Sequence, residues 1–254
     1  RLINFAHGDV FMIATYIAFY SMTAFMLPWW ASFIISIILT GIFGIILEKA
    51  AYRPLRNSPR ISVMISAIGA SYLIENLAIV VFGGRPKAFP IPEIFSRIIN
   101  MGGISVASVS LFIPVIAAIA LYILNFIIGK TKVGMAMRAV SKDYEAAKLM
   151  GIDTEKIYAI TFGISGACVG VAGALLATFF PVSPEAGSLY RLLAFVIVAL
   201  GGFGNIKGAL YGGLIIGLAE ALGGYFVGTE FKYAIVYLIY LLVIQIRPKG
   251  LFGW

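Results

Sequence analysis

Three acids stand inside apolar runs: Asp9 in "NFAHGDVFMIA", Glu75 in "SYLIENLAIVVF" and Glu220 in "IIGLAEALGG". An ionised carboxylate is costly in hydrocarbon, so on a membrane-spanning helix each must face a bundle interior or a water-filled path. The chemistry open to them is cation handling: an internal ion pair, an ion-coupling site, or a contact with a charged solute. His7, the single histidine, sits two residues before Asp9. Beside that carboxylate it reads as a hydrogen-bonded structural group rather than a proton carrier. One imidazole cannot supply the histidine pair of a zinc site, and one cysteine, Cys168, cannot form an internal disulfide or a multi-cysteine metal site. No nucleophile–base pair and no phosphate-cradling Gly-Lys-Ser/Thr run is visible. The chain is therefore not expected to be an enzyme, to bind a metal or to carry a cofactor.

A second constellation is polar. In "SKDYEAAKLMG", residues 141–151, Ser141 has the hydroxyl of a helix N-cap, and Asp143 and Glu145 suit the positive end of the helix dipole. Gly151 suits the left-handed conformation that ends a helix. Between them the spacing predicts a short amphipathic helix over 142–150. Ala146, Leu149 and Met150 share one side, while Lys142, Glu145 and Lys148 share another. Ala146 and Ala147 are small enough to permit close approach. Such a helix either inserts into a groove on a partner or lies on the membrane surface.

The elements that must position these residues are membrane spans. The chain has 254 residues, of which 61% are hydrophobic and 12% charged, with a mean hydropathy of +1.00. Soluble domains run near 45–50% apolar and about 25% charged. Runs of about twenty apolar residues cross a bilayer as helices, and Val10–Leu27, Trp30–Leu47, Ile61–Phe82, Leu111–Ile128 and Ile157–Phe180 fit. "LYRLLAFVIVAL" is short, is interrupted by "GGFGNIKG" and resumes in "ALYGGLIIGLAEALGGYF"; Phe231–Ile246 follows. The expected fold is all-α: a single polytopic transmembrane helical bundle over 1–254, with about seven to eight membrane segments including an interrupted hairpin. The polar loop 129–156 interrupts it.

The net charge of +8 sorts by membrane side. Lys49, Arg53, Arg56 and Arg60 share one inter-span loop; Lys130, Lys132, Arg138, Lys142, Lys148 and Lys156 share another; Arg247 and Lys249 lie in the tail. The positive-inside rule places all three in the cytoplasm and argues against a nucleic-acid partner. Spans two to five then alternate, and the interrupted pair enters and returns before the last span. Arg85, Lys87 and Arg97 fall outside, against the rule. Two breaks invite comparison, "LINFAHGDVFMIA" and "LGGFGNIKGALYGG". Paired interruptions point to a pseudo-symmetric repeat and a transport pathway, or to unrelated turns at membrane edges. They make Asn4, His7 and Asp9, and Gly201, Gly202, Gly204 and Asn205, pathway candidates beside Glu75 and Glu220. Gly163, Gly166, Gly170 and Gly173 form a small-residue stripe for helix packing, inside the chain or at a dimer interface in the membrane.

The string "EAAKLMGI" resembles the EAA loop of ABC-importer permeases, which seats a coupling helix in an ATPase subunit. "RLINFAHGDVFMIATYIAF", "LEKAAYRPLR", "GKTKVGMAMRAVSKDYEAAKLMGIDTEKIYAITF", "LGGFGNIKGALYGGLIIGLAEAL" and "RPKGLFG" resemble, in order from Arg1 to Gly253, the LivH-like permease of bacterial branched-chain amino-acid ABC importers. The resemblance implies a multi-pass inner-membrane subunit working with a second related permease, two cytoplasmic ATPases and an extracytoplasmic amino-acid-binding protein. ATP and Mg would be bound by the ATPases. It makes Glu145, Ala146, Ala147 and Gly151 the coupling positions. Asn4, Ala6, His7 and Gly8 match one further family element, and Gly201, Gly202, Gly204, Gly208 and Ala209 another. Glu220 also agrees with the family, as a shared internal contact. A first residue other than Met agrees with the family's further span ahead of Arg1. Glu75 departs from a neutral Gln and Arg191 from a nearby Lys, and both changes bear on the substrate. Related systems take amides, urea or other amino acids. An ion-coupled secondary transporter using Asp9, Glu75 and Glu220 is the rival reading, and an assembly subunit with no pathway is the third.

Overall fold

The computed structural model describes residues 4, 6–56, 58–101 and 104–253. In chain order the helices are α1 (His7–Thr23), α2 (Trp29–Leu47), α3 (Arg60–Phe82), α4 (Glu93–Ser96), α5 (Ser108–Lys130), α6 (Lys132–Lys142), α7 (Tyr144–Leu149), α8 (Thr154–Leu176), α9 (Ala186–Gly201), α10 (Ile206–Phe226) and α11 (Lys232–Ile246). A π turn, Glu48–Tyr52, and a 3-10 turn, Arg53–Leu55, prolong α2. Among the described residues, five helical stretches are long and apolar enough to cross a bilayer: Trp29–Leu55, Ile61–Phe82, Ser108–Lys130, Thr154–Leu176 and Ile206–Phe226. With the shorter apolar helices α9 and α11, and with α1, this is the expected polytopic bundle.

Some boundaries move. The first expected span, Val10–Leu27, is a helix from His7 to Thr23. The helix α8 begins at Thr154 rather than Ile157, because Asp153 accepts the Lys156 N–H at 3.1 Å. The stretch between the expected spans Ile61–Phe82 and Leu111–Ile128 contains an antiparallel hairpin, β1 (Ile98–Met101) with β2 (Ile104–Ala107). This is the small departure from an all-α fold.

The chain forms two compact units, Arg1–Ser188 and Leu189–Trp254. In the first, α8 packs against α2 and α1. The glycine stripe makes this approach possible. A Cβ on Gly166 would overlap the Thr40 carbonyl, and one on Gly173 would lie 2.6 Å from the Ala14 Cβ. The Ser36 hydroxyl donates to the Ala14 carbonyl at 3.0 Å, tying α2 to α1. The stripe thus serves packing inside this chain. Gly166→Ala is expected to lower stability by about 1–3 kcal/mol through overpacking. Gly69→Ala, where a Cβ meets nothing within 4 Å, is expected to be neutral or slightly stabilising. Thermal unfolding in detergent checks the pair.

Contacts also order the helix ends of this unit. The Arg53–Glu155 ion pair and the Arg56 guanidinium over the Tyr158 ring bring the two basic loops to one end. At the other end Lys87 and Val182 exchange both backbone hydrogen bonds at 2.9 Å. The Lys87 ammonium donates to the Tyr20 hydroxyl at 2.6 Å, which houses one of the cations that conflicted with the charge rule.

In the second unit, Leu193, Val196, Leu200, Ile216 and Val236 form the core. A turn with two left-handed glycines, Gly202 (φ +99) and Gly204 (φ +84), joins α9 to α10. The tail folds onto this turn, with the N–H groups of Leu251 and Phe252 donating to the carbonyls of Leu200 and Gly201. The free carbonyls at the α9 C-terminus are satisfied by "RPKGLFG".

Candidate functional site

The polar loop between α5 and α8 is a pair of short helices. Thr131 sets it up: its hydroxyl donates to the Ile127 carbonyl at 2.6 Å and accepts from the Gly134 N–H at 3.1 Å. α6 then folds so tightly against the end of α5 that a Cβ on Gly134 would overlap the carbonyls of Ile127 and Ile128. Arg138 donates to the Ile128 carbonyl.

The structure corrects the expected cap. Ser141 lies inside α6 and its hydroxyl donates back to the Arg138 carbonyl at 2.9 Å. Asp143, in extended conformation (φ −148, ψ 110), caps α7 by accepting the Ala146 N–H at 3.0 Å. The predicted helix over 142–150 is Tyr144–Leu149, because α6 continues through Ser141 and Lys142 before the chain turns. The stop is as expected. Gly151 (φ +80) donates to Lys148 O at 3.0 Å, and Ile152 to Ala147 O at 3.1 Å, a Schellman arrangement. A capped helix of six residues, fixed at both ends, is a rigid protrusion. Ala147 is buried beneath it, Glu145 and Ala146 are exposed, and Leu149 and Met150 are 88% and 82% exposed.

Beyond α7, Asp153 caps α8 and pairs with the Lys156 ammonium at 2.9 Å. The Lys156 backbone N–H, followed by its ammonium, holds the Asp153 carboxyl below its ordinary range.

The expected His7–Asp9 partnership is replaced. Residues two apart on a helix do not face each other, and both lie in the first turn of α1. Asp9 is fully buried and accepts from the Ser71 hydroxyl of α3. Gly187 lies against it, since a Cβ there would come 2.8 Å from Asp9 Oδ1. Val182 is tied to Lys87, whose ammonium meets Tyr20, eleven residues along α1 from Asp9 and hence about 16 Å away at 1.5 Å per residue. The non-helical stretch after α8 therefore descends along α1 to bring the start of α9 to a buried carboxylate. Irregular backbone at such depth is tolerated where protein buries it or it lines a cavity. His7 is half-buried and makes no hydrogen bond through its ring among the described residues.

Asn4 is a tie. Its Oδ1 accepts from the Ala6 N–H at 3.0 Å and from the Tyr52 hydroxyl at 2.6 Å. Asn205 has a parallel role in the second unit, accepting from the Gly208 N–H at 3.1 Å and donating to the Phe252 carbonyl at 3.1 Å. Gly201 and Gly208 approach until a Cβ on either would overlap the other, and Gly202 meets Gly253 in the tail. Gly204 faces open space. Glu220 pairs with Lys232 of α11 at 3.0 Å, the internal contact foreseen for it. Glu75 is half-buried on α3 and makes no hydrogen bond or ion pair among the described residues.

The structure adds residues that sequence reasoning missed: Ser71, Tyr52, Glu48, Arg56 and Tyr158. Glu48 is buried and paired with Arg56. An acid at the very end of an apolar run, eight residues before an arginine, was the available signal.

The family model for the branched-chain amino acid transport system permease component matches residues 1–244. The high-affinity branched-chain amino acid transport system permease protein LivH of Salmonella typhimurium is 36% identical, covering 99% of this chain and 86% of its own length. BraD of Pseudomonas aeruginosa, a permease protein described in the same words, is 37% identical with the same coverage. A probable branched-chain amino acid transport permease protein LivH of Methanocaldococcus jannaschii is 29% identical over 98% of this chain and 82% of its own length. No solved structure matches the chain. A multi-pass helical membrane protein matched from end to end by such relatives belongs to the branched-chain amino acid transport system permease family.

Proposed function

We propose that the chain forms half of the pathway of an ATP-driven importer of branched-chain amino acids in a prokaryotic cytoplasmic membrane. A second related permease completes the pathway. Two ATPases, which bind ATP and Mg, sit on the basic side, and an amino-acid-binding protein docks on the opposite side. The observation that carries the reading is α7: a doubly capped helix among basic residues that presents Leu149 and Met150 almost wholly to solvent. Exposed apolar side chains on a rigid polar element mark a protein contact. The substrate class is supported by the relatives' names.

Closure of the ATPases on nucleotide would push α7, which α6 fixes to α5 and Gly151 joins to α8. Nucleotide free energy then biases two arrangements of these rods, which is how one side's chemistry selects which end of the pathway is open. A zwitterion with an aliphatic side chain calls for a conduit with a few polar groups and little grip, so that release stays fast.

The test is uptake of leucine into proteoliposomes holding this permease, its partner permease and the ATPases, with the loaded binding protein outside and ATP inside. ATP-dependent accumulation is expected. Uptake by this chain alone, driven by an ion gradient, would favour the secondary transporter.

A further inference from the structure

We infer that a brace built on Glu48, Arg56 and Tyr158 links the coupling helix α7 to the start of α1, and that these are positioning residues for energy coupling. The inference rests on the ATP-driven reading above and names the route that reading requires.

The brace begins at the protrusion. Tyr144, the first residue of α7, packs its ring 6.3 Å from that of Tyr158 in the first turns of α8. The Arg56 guanidinium covers the Tyr158 ring, 4.3 Å from its centroid, and also pairs with Glu48. A planar guanidinium is suited to both tasks, since it stacks through its face and forms hydrogen bonds through its edge. Glu48 is 1% exposed and opens the π turn that prolongs α2. Such turns widen a helix locally and occur often at functional sites. Tyr52 closes the same turn, packing 4.8 Å from the Phe162 ring and donating its hydroxyl to Asn4. Asn4 in turn holds the Ala6 N–H at the entry to α1, three residues before buried Asp9. Every step is a direct contact except that from Glu48 to Tyr52, which runs through the backbone of the π turn.

Stability alone is a poor reason for this arrangement. A buried ion pair is commonly matched or surpassed by apolar residues of similar volume. The pair lies where the α2–α3 connection meets the base of α8, and it reaches α7 on one side and Asn4 on the other. The nearby Arg53–Glu155 pair is about half exposed on both sides and should contribute little. It is the natural control.

The experiment uses the complete importer in proteoliposomes and reads leucine imported per ATP hydrolysed, with the ATPase retained on purification measured alongside. Glu48→Gln and Tyr158→Leu are expected to lower that ratio about 10-fold, within the usual range of coupling between sites. Tyr52→Phe, which deletes one hydroxyl, should lower it about 3-fold with assembly intact. Arg53→Gln should leave it unchanged. A role confined to stability would reduce the amount of complex but not the ratio. If Glu48→Gln fails to assemble, Tyr52→Phe decides: a lowered ratio supports the brace and an unchanged one overturns it. Unchanged ratios in intact Glu48→Gln and Tyr52→Phe complexes overturn the brace alone. A wild-type permease that retains no ATPase overturns the functional reading and the brace with it.

Discussion

Replacing Leu149 and Met150 together with aspartate is expected to release the ATPase subunits from the purified permease while leaving its own unfolding temperature unchanged. Both side chains are almost fully exposed in this chain, so their removal costs the isolated permease little. In a partner's groove each would be buried, contributing about 1.5–3 kcal/mol. Aspartate forfeits that contribution and adds the cost of desolvating two carboxylates. With each 1.4 kcal/mol worth a factor of about ten, an affinity loss of at least 100-fold follows. Ala147→Asp should behave differently. Ala147 is buried beneath α7, so a carboxylate there should unseat the helix and lower the unfolding temperature as well. Co-purification stoichiometry and detergent melts, measured on both variants, separate a contact surface from a structural prop. Retention of the ATPases by the Leu149/Met150 double variant would remove the observation on which the functional reading stands.

The sequence disclosed local rules and concealed distant partners. Gly151 was readable as a stop because a left-handed position after a run of helix formers is a one-residue signal, and its φ of +80 agrees. The matching start was misplaced by two residues. Ser141 and Asp143 are both good caps, and the choice depends on where α6 ends. That in turn depends on Thr131 and on Gly134 packing under α5, ten and seven residues ahead of Ser141. The glycine stripe was legible as packing from its spacing, but its partners Thr40 and Ala14 lie on other helices. Glu220 was recognised as an internal contact; Lys232 became its partner only once α10 and α11 were folded side by side. Asp9 was recognised as costly in lipid, yet its donor, Ser71, is sixty-two residues away. Charge clustering placed the basic loops together, and the Arg53–Glu155 and Arg56–Tyr158 contacts show them meeting. Periodicity has no access to such contacts, because a long-range pair leaves no spacing in the chain.

Asp9 provides the sharpest test between the two transport mechanisms. Its carboxylate is fully buried, receives the Ser71 hydroxyl and lies against the backbone at Gly187. Asp9→Leu removes the acceptor, leaves the Ser71 hydroxyl without that bond, and forces a branched side chain against the segment that enters α9. Loss of a buried hydrogen bond and overpacking each cost about 1–3 kcal/mol, so a loss of about 2–6 kcal/mol in stability is expected. Asp9→Asn keeps the shape and one acceptor oxygen, so its cost should be about 1 kcal/mol. Gly187→Ala should resemble the leucine variant, because a Cβ there reaches Asp9 from the other side. The transport readout then divides the mechanisms. Where nucleotide drives uptake, the carboxylate's task is to hold the unwound segment in place, and Asp9→Asn should still import leucine on ATP. Where an ion gradient drives uptake through this acid, neutralising it removes the coupling charge and stops accumulation, although the fold survives. Proteoliposome uptake by Asp9→Asn, with ATP and without an ion gradient, therefore shows whether the buried carboxylate is a fastening or a carrier.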